Sequence, residues 1–452
     1  QLMLSRAVRT MATSSSALYS AASPSLIGVC QMTCSNDLEA NWKVAEGFIE
    51  RAAERRCKMI FFPECFDFVG VQKDEQVTLA FEERDAYLTR FRDAAKRHGL
   101  WMSLGGFHHK DPAVPTHPWN THLVIDGEGE TRARYDKLHL FDLEIPGKVR
   151  LMESEFSKQG KQMVPPVPTP IGNLGLSICY DLRFAELALW NRKRGAHILS
   201  YPSGFTLTTG LAHWEALLRA RAIETQCYVV AAAQTGVHNP KRSSYGHAMV
   251  VDPWGAVIAQ CSERVGMCFA EVDLAYLESV REMQPVMRHR RADLYSMHVN
   301  EKLAIDSPLA FGPHSIAASC VFARSALSFA FVNLKPVLPG HVLVAPVRVA
   351  SRLIDLSDEE TADLFCLAKK VQRMIERAHG TQSATICVQD GKDSGQTVEH
   401  VHVHVMPRKP DDFGGSTDTV YRELAKHDTD DRKPRTEEDM AREATDYREK
   451  ME

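Results

Sequence analysis

The sequence has no uninterrupted apolar run of about 18 residues, so nothing in it is long and apolar enough to span a bilayer as a helix. It has no C-x-x-C pair. Its eleven cysteines are scattered from Cys30 to Cys387, an odd number that fits neither a disulfide framework nor a zinc ribbon and points to a reducing compartment. Positive charge is not in excess either: a net charge of −4 excludes a broad surface for a nucleic acid polymer and leaves room for small anionic ligands. Acidic residues are missing from positions 1–36, which are rich in Ser and Ala and carry Arg6 and Arg9. That is the composition of an organelle transit peptide, so a mitochondrial form stands beside the cytoplasmic expectation. A disordered leader over 1–25 is the plainer alternative.

What is present, in 452 residues of which 44% are apolar and 25% charged, is enough for two soluble domains. From Leu26 onward, runs such as "KMIFFPE", "THLVID", "LGLSICYD" and "AHILSYPS" alternate with charged stretches of helical period, which predicts strands flanked by helices in an α/β domain. In "EANWKVAEGFIERAAERR", Trp42, Ala45, Ile49 and Ala52 fall three or four apart, as one buried helical stripe requires. The rhythm breaks near 300. A linker at 297–307 separates a first domain, 26–296, from a second, 308–452. There "SFAFVNLKPVLPGHVLVAPVR" reads as two strands and a Pro/Gly turn, and a helix begins after Ser357, with Glu360 as capping-box partner and Gly380 as its stop. "SATICVQD" and "HVHVHVMPR" add strands, so the second domain is α+β on an antiparallel sheet, and the charged tail from Asp428 reads as a solvated helix or loose segment.

Two constellations carry chemistry. Cys179 ends an apolar strand where a helical pattern begins, a corner at which a helix N-terminus favours thiolate; a buried structural cysteine is the competing reading. Glu64 and Lys137 end other strands, where each alone reads as solvated, but together they offer a base for the thiol and a cation for an oxyanion. Arg183 is a candidate for holding a substrate carboxylate or for an ion pair within the fold. In the second domain, His400, His402 and His404 alternate with Val401, Val403 and Val405. On a strand they stand in a row about 6.6 Å apart, with the valines buried behind. Phosphate chemistry, a two-histidine metal site and a structural face all remain open, although bonds of about 2.1 Å do not let three in line converge on one zinc.

FPE at 62–64, YDKLHLF at 135–141 and SICYDLRF at 177–184 resemble the signatures of the nitrilase, or carbon-nitrogen hydrolase, superfamily, in the branch containing the Nit amidases. The resemblance covers roughly 26–296 and implies a four-layer αββα sandwich. It implies Glu64 as general base, Cys179 as nucleophile, Lys137 as oxyanion stabiliser and Glu153 as the residue orienting substrate or water, with small ω-amide acids as substrates. HVHVHV at 400–405 is the histidine triad, and "FGPHSI", "PGHVLV" and "VQDGKDSGQTVEH" resemble the Fhit branch of that family over 308–452. This implies a HIT-type domain in which His402 attacks the α-phosphorus of a diadenosine triphosphate-like dinucleoside polyphosphate. His400 and His341 would support it, and His314, Asn333, Gln389, Gly395, Gln396, Thr397, Val398 and His404 would contact substrate. No covalent cofactor is implied; Mg or Mn would arrive with the polyphosphate. In this order the halves resemble proteins that fuse a nitrilase-like to a Fhit-like domain, which implies a homotetramer. The rival from another class is a nucleotide-binding signalling scaffold whose substrate-bound state is the output.

Overall fold

The computed structural model describes residues 23–451 apart from 73, 112, 114, 115, 146–148, 292, 293, 298, 300–303 and 427–431. The expected leader thus lies outside the described residues up to position 22, as do 298 and 300–303 of the expected linker and the start of the charged tail. The chain divides into two compact units between Arg290 and Arg291, and each has its own core.

The first unit is built on two mixed sheets. In the eight-stranded sheet, Ser25–Met32 and Met59–Phe62 run parallel to each other and to Trp101–His109, with Trp119–Ile125 and then Thr131–Asp136 antiparallel beyond. On the other side of Ser25–Met32, Ala233–Asn239 adds in parallel and Arg242–Tyr245 closes the edge antiparallel. The six-stranded sheet has Gly172–Leu176, Ile198–Ser200 and Tyr228–Ala231 parallel at its centre. Parallel central strands carry no polar face. Met59–Phe62 and Tyr228–Ala231 are buried at every position, because helices cover one side and the other sheet the opposite side. Leu38–Glu54 lays Trp42, Ala45, Ile49 and Ala52 inward as its spacing predicts, with Asp37 capping two amides, and Trp42 meets Phe91 of the helix Ala86–His98 edge-on at 4.8 Å. Helices Ala185–Lys193, Leu207–Thr225 and Leu274–Met283 cover the second sheet, completing the αββα sandwich.

The second unit holds a five-stranded antiparallel sheet in the order Val321–Arg324, Ser328–Val332, Val342–Pro346, Val403–Pro407, Ala384–Cys387. The helix Asp358–His379 packs on one face, against Val342, Val344, Val403 and Val405. Its ends are where local chemistry puts them: Ser357 and Glu360 form a capping box, and Gly380 stops it at φ 62°. The tail departs from expectation. Glu437–Lys450 is a helix whose Ala444 and Tyr447 are buried in that same core, and Arg448 donates to the carbonyls of Ala318, Ser319 and Val321. Met440, Ala444, Tyr447 and Met451 form a stripe at helical spacing that abundant surrounding charge conceals. Among the described residues, no helix is long and apolar enough to cross a membrane.

Candidate active sites

Three strand ends of the eight-stranded sheet converge on one point. Glu64 follows Met59–Phe62, Lys137 follows Thr131–Asp136 directly, and Asn120 stands at the start of Trp119–Ile125, whose antiparallel course brings its first residues to the same rim. Lys137 Nζ is 2.9 Å from Glu64 Oε1 and 3.0 and 2.8 Å from the two oxygens of Glu153, so one buried cation joins two carboxylates. Asn120 Nδ2 donates to both carboxylates, at 3.0 and 3.3 Å. Glu153 is also held by the Phe141 N–H at 2.7 Å. The second sheet supplies the rest: Gly204 N–H donates to Glu64 Oε2 at 2.9 Å, and the Cys179 thiol lies close enough to Glu64 for each to shift the other's pKa. Close approach is essential at Gly106 (φ 40°), where a Cβ would lie 2.6 Å from Asn120 Oδ1 and 3.0 Å from Glu64 Cγ.

Cys179 sits at the corner between strand and helix, but the corner is not a helix N-terminus. A 3-10 turn, Cys179–Arg183, intervenes, and the helix begins only at Ala185. Cys179 itself is left-handed (φ 47°), a strained position that projects its side chain from the turn, with its N–H spent on Pro202 O at 2.9 Å. Asp181 anchors the turn: one oxygen takes Tyr135 OH (2.7 Å) and Ile178 N–H (2.9 Å), the other His139 N–H and Nδ1 (3.1 and 2.7 Å). The electrostatics also differ from the helix-dipole expectation. Burial and the neighbouring Glu64 carboxylate push the Cys179 thiol well up, with Lys137 opposing. Burial raises Glu64 as well, but the Lys137 charge, the hydrogen bond from Lys137 and the Cys179 thiol leave it below the usual carboxylate range. Burial works against the Lys137 charge, yet Glu153 and Glu64 hold that ammonium firmly protonated. The resting pair is therefore thiol and carboxylate, poised for proton transfer in the direction a nucleophilic thiol needs.

Arg183 lies over the rings of Tyr180 and Phe205, at 5.7 and 5.6 Å, with both terminal nitrogens 3.3 Å from His213 Nδ1, so among the described residues it forms no ion pair within the fold. Asn120, Gly204, Asp181 and Arg242 have no assignment from sequence. Arg242 is a further cation of the site, with Nη2 3.8 Å from where a Cβ on Gly204 would lie, and, against burial, the Cys65, Glu64, Glu153 and Cys179 groups favour its charge.

In the second unit the histidines do not form one regular row. The ladder covers only Val403–Pro407; His400, in a bend, and His402 precede it, and the rings of His402 and His404 approach to 4.8 Å. The segment leaves the ladder because Val401 N–H bonds Ala350 O at 2.8 Å, while His400 is pinned between Gly312 N–H and Pro346 O, both at 2.9 Å. Those partners fix tautomers. His400 accepts at Nδ1 and donates from Nε2. His402 donates from Nδ1 to His400 O at 2.7 Å, which puts its lone pair on Nε2. Val337 N–H donates to His341 Nδ1 (3.1 Å), so His341 donates from Nε2 to His404 Nδ1 (2.9 Å) and His404 carries its proton on Nε2. The arrangement orients imidazoles rather than converging them on one ion. Val401, Val403 and Val405 are wholly buried, as alternation predicts.

Asn333 reaches His341 at 3.3 Å. His314 is exposed on the hairpin of Leu309–Phe311 and His314–Ile316, whose Phe311 ring lies 5.1 Å from His402. Gln389 adjoins Gly395 (φ 88°), where a Cβ would come within 2.7 Å of Gln389 Nε2. Gln396 has its side chain tied to Gly391 N–H, Ser351 O and Val398 O, which makes it a brace of its own loop. Thr397 is exposed and Val398 packs beside Leu309 and Phe311. Among the described residues, no group of three or more His, Cys, Asp or Glu is arranged to hold a metal.

Comparison with known proteins agrees with this division. The carbon-nitrogen hydrolase family profile matches residues 26–282 and the HIT domain profile residues 316–411. The chain is 64% identical over 426 residues to the nitrilase and fragile histidine triad fusion protein NitFhit of Caenorhabditis elegans, covering 94% of this chain and 96% of that one. It is 48% identical over 290 residues to deaminated glutathione amidase of Bos taurus, covering 64% of this chain and 87% of the relative. The crystal structure of the C. elegans NitFhit protein superposes with a TM-score of 0.86 at 62% identity, covering 94% of this chain and 99% of that one. The chain belongs to the family of nitrilase and fragile histidine triad fusion proteins, a carbon-nitrogen hydrolase domain followed by a HIT domain.

Proposed function

We propose that the chain is a bifunctional hydrolase: a Cys179-dependent amidase of small ω-amide acids, and a dinucleoside polyphosphate hydrolase acting through His402. The observation that carries this reading is that each nucleophile already has its proton in the place its chemistry requires. Cys179 keeps its proton beside a carboxylate that remains ionised, and His402 carries its proton on Nδ1, away from the nitrogen that attacks.

In the first unit, Glu64 takes the thiol proton as sulfur attacks the amide carbonyl. The developing oxyanion is met by Lys137 and, since the Cys179 N–H is spent on Pro202, by the Tyr180 amide next along the turn. Glu64 returns the proton to the departing ammonia, then activates water, with Glu153 orienting it, to release the acid from the thioester. Similarity to proteins named deaminated glutathione amidase supports amides rather than nitriles. In the second unit, His402 Nε2 attacks the α-phosphorus and the His404 Nε2 proton meets the leaving phosphate oxygen. Water then releases AMP from the nucleotidyl-histidine. Magnesium or manganese enters with the polyphosphate to offset its charge.

The test is paired. Wild-type chain is expected to release ammonia from a panel of small ω-amides and AMP from diadenosine triphosphate. Cys179→Ala abolishes only the first, and His402→Asn only the second while still binding the nucleotide. Ammonia release that survives Cys179→Ala removes the amidase reading; AMP formation that survives His402→Asn removes the other.

A further inference from the structure

In the first unit the chain crosses from one sheet to the other between Val257–Gln260, the edge strand of the six-stranded sheet, and Gly266–Val272, which pairs antiparallel with Ser25–Met32 of the eight-stranded sheet. A cysteine stands at each end of the crossover. Cys261 follows the first strand directly, Cys268 lies near the start of the second, and both meet the carbonyl of Ala248: the Cys261 N–H donates to it at 2.8 Å and the Cys268 thiol at 3.7 Å. The loop between them is pinned. Gln31 Nε2 donates to Ser262 O and, at 2.8 Å, to Arg264 O, and Thr235 Oγ1 donates to Glu263 O at 3.1 Å. Both cysteines are half-buried free thiols that solvent reaches, whereas Cys30, Cys34, Cys57 and Cys65 of the same unit are buried. Their ionisation is split. Cys268 draws the Cys261 thiol below its ordinary value, against burial, while Cys261 and then burial push the Cys268 thiol well up. Burial and Glu64 push Cys179 up as well. A solvent-reachable sulfur inclined to thiolate, beside a second that keeps its proton, is the arrangement in which one sulfur is oxidised and the other closes the bond.

We propose that Cys261 and Cys268 are a redox modification site for hydroperoxides, oxidised reversibly to a disulfide that clasps the crossover between the two sheets. The site rests on neither hydrolase reading. The Cys261 thiolate attacks one oxygen of hydrogen peroxide: the O–O bond breaks, an S–O bond forms, and the departing hydroxide takes up a proton as water. Sulfur gives two electrons and peroxide receives them. The Cys268 sulfur then attacks the Cys261 sulfur, the S–O bond breaks as the S–S bond forms, and the departing hydroxide takes the Cys268 proton as a second water. A thiol reductant restores both thiols by exchange. Where glutathione keeps thiols reduced, a bond of this kind is transient and serves as a sensor. The reduced chain is prepared for it, because one carbonyl and the bonds from Gln31 and Thr235 already hold the two ends and the loop together.

The experiment adds hydrogen peroxide, from equimolar upward, to the reduced full-length chain, caps the remaining thiols with N-ethylmaleimide under denaturing conditions, and maps tryptic peptides before and after dithiothreitol. Trypsin cuts after Arg264, so the bond joins two otherwise separate peptides. Wild type is expected to yield the linked Cys261 and Cys268 peptides, which part on reduction. Cys261 should escape capping at a peroxide dose at least about tenfold below that needed for Cys179, since the thiolate fraction changes about tenfold per pK unit. In Cys268→Ser the reaction should stop at a sulfenic acid on Cys261 that dimedone labels, and in Cys261→Ser the thiol of Cys268 should remain capped at the same dose. Cys261 and Cys268 both staying capped while Cys179 or other cysteines are oxidised would overturn the assignment, as would a linked pair made of other cysteines or dimedone on Cys268 in Cys261→Ser. Should either serine variant fail to fold, the wild-type map decides by itself.

Discussion

At Cys179, burial and a neighbouring carboxylate hold the proton on sulfur, whereas the helix N-terminus anticipated from sequence would have drawn it off. The consequence is testable with Glu64→Gln. Removing the carboxylate abolishes the base, so amide hydrolysis should fall by about 10² to 10⁴-fold. The same change removes a charge that raises the thiol pKa while Lys137 stays, so alkylation of Cys179 by iodoacetamide at mildly alkaline pH should become faster, by about tenfold per pK unit regained. A merely structural Glu64 would slow both reactions or neither. His400 gives a second prediction. Burial holds its pKa down to about 4, with the Pro346 carbonyl opposing and His402 adding to the fall. Between about pH 6.5 and about pH 4 the unfolded chain binds a proton that the folded one refuses. Stability is then complete above about pH 6.5 and declines as the pH drops, by up to about 3 kcal/mol from this group. Urea unfolding across that interval should show the decline in wild type and a shallower one in His400→Gln.

At the level of elements, the first site depends on a bulge in Trp101–His109 that turns its backbone toward Glu64 and Asn120. Gly106→Ala puts a methyl group against both, in a left-handed conformation. It should cost about 1 to 3 kcal/mol of stability and lower ammonia release, while AMP production by the second unit persists; an unchanged amidase would show that the close approach is not needed. What was legible in the sequence follows the range of the forces involved. Helix Asp358–His379 was legible at both ends, because caps are set by residues three or four apart. Glu64, Lys137 and Cys179 were legible as polar residues at the ends of apolar strands, and their motifs joined them. Asn120, Gly204 and Arg242 were not, since each matters only through the register of strands distant in sequence. Of the histidine row, the burial of the valines was legible, but the burial of the histidines themselves and the course of the row were not, because the contacts of Val401 with Ala350 and of His400 with Gly312 and Pro346 that draw it off the ladder are long-range. The tail helix was missed for the opposite reason: its apolar stripe is local but thinly spread among charges.

On the scale of the whole molecule, the residues of each candidate site meet within one compact unit. Independence is the expectation: the hydrolysis of diadenosine triphosphate by Cys179→Ala and the release of ammonia by His402→Asn should both match wild type within about twofold, given that distant sites are additive to within about 0.5 kcal/mol. A cross-effect well beyond that would mean the fusion couples the two chemistries. The most direct measurement of the central claim is rapid acid quench of one full-length sample turning over an ω-amide acid and diadenosine triphosphate together, followed by peptide mapping of covalent adducts. The account predicts an acyl group on Cys179 and an adenylyl group on His402, each on a separate peptide. Products accumulating in the quench window with neither residue labelled, or with label on other residues, would contradict it.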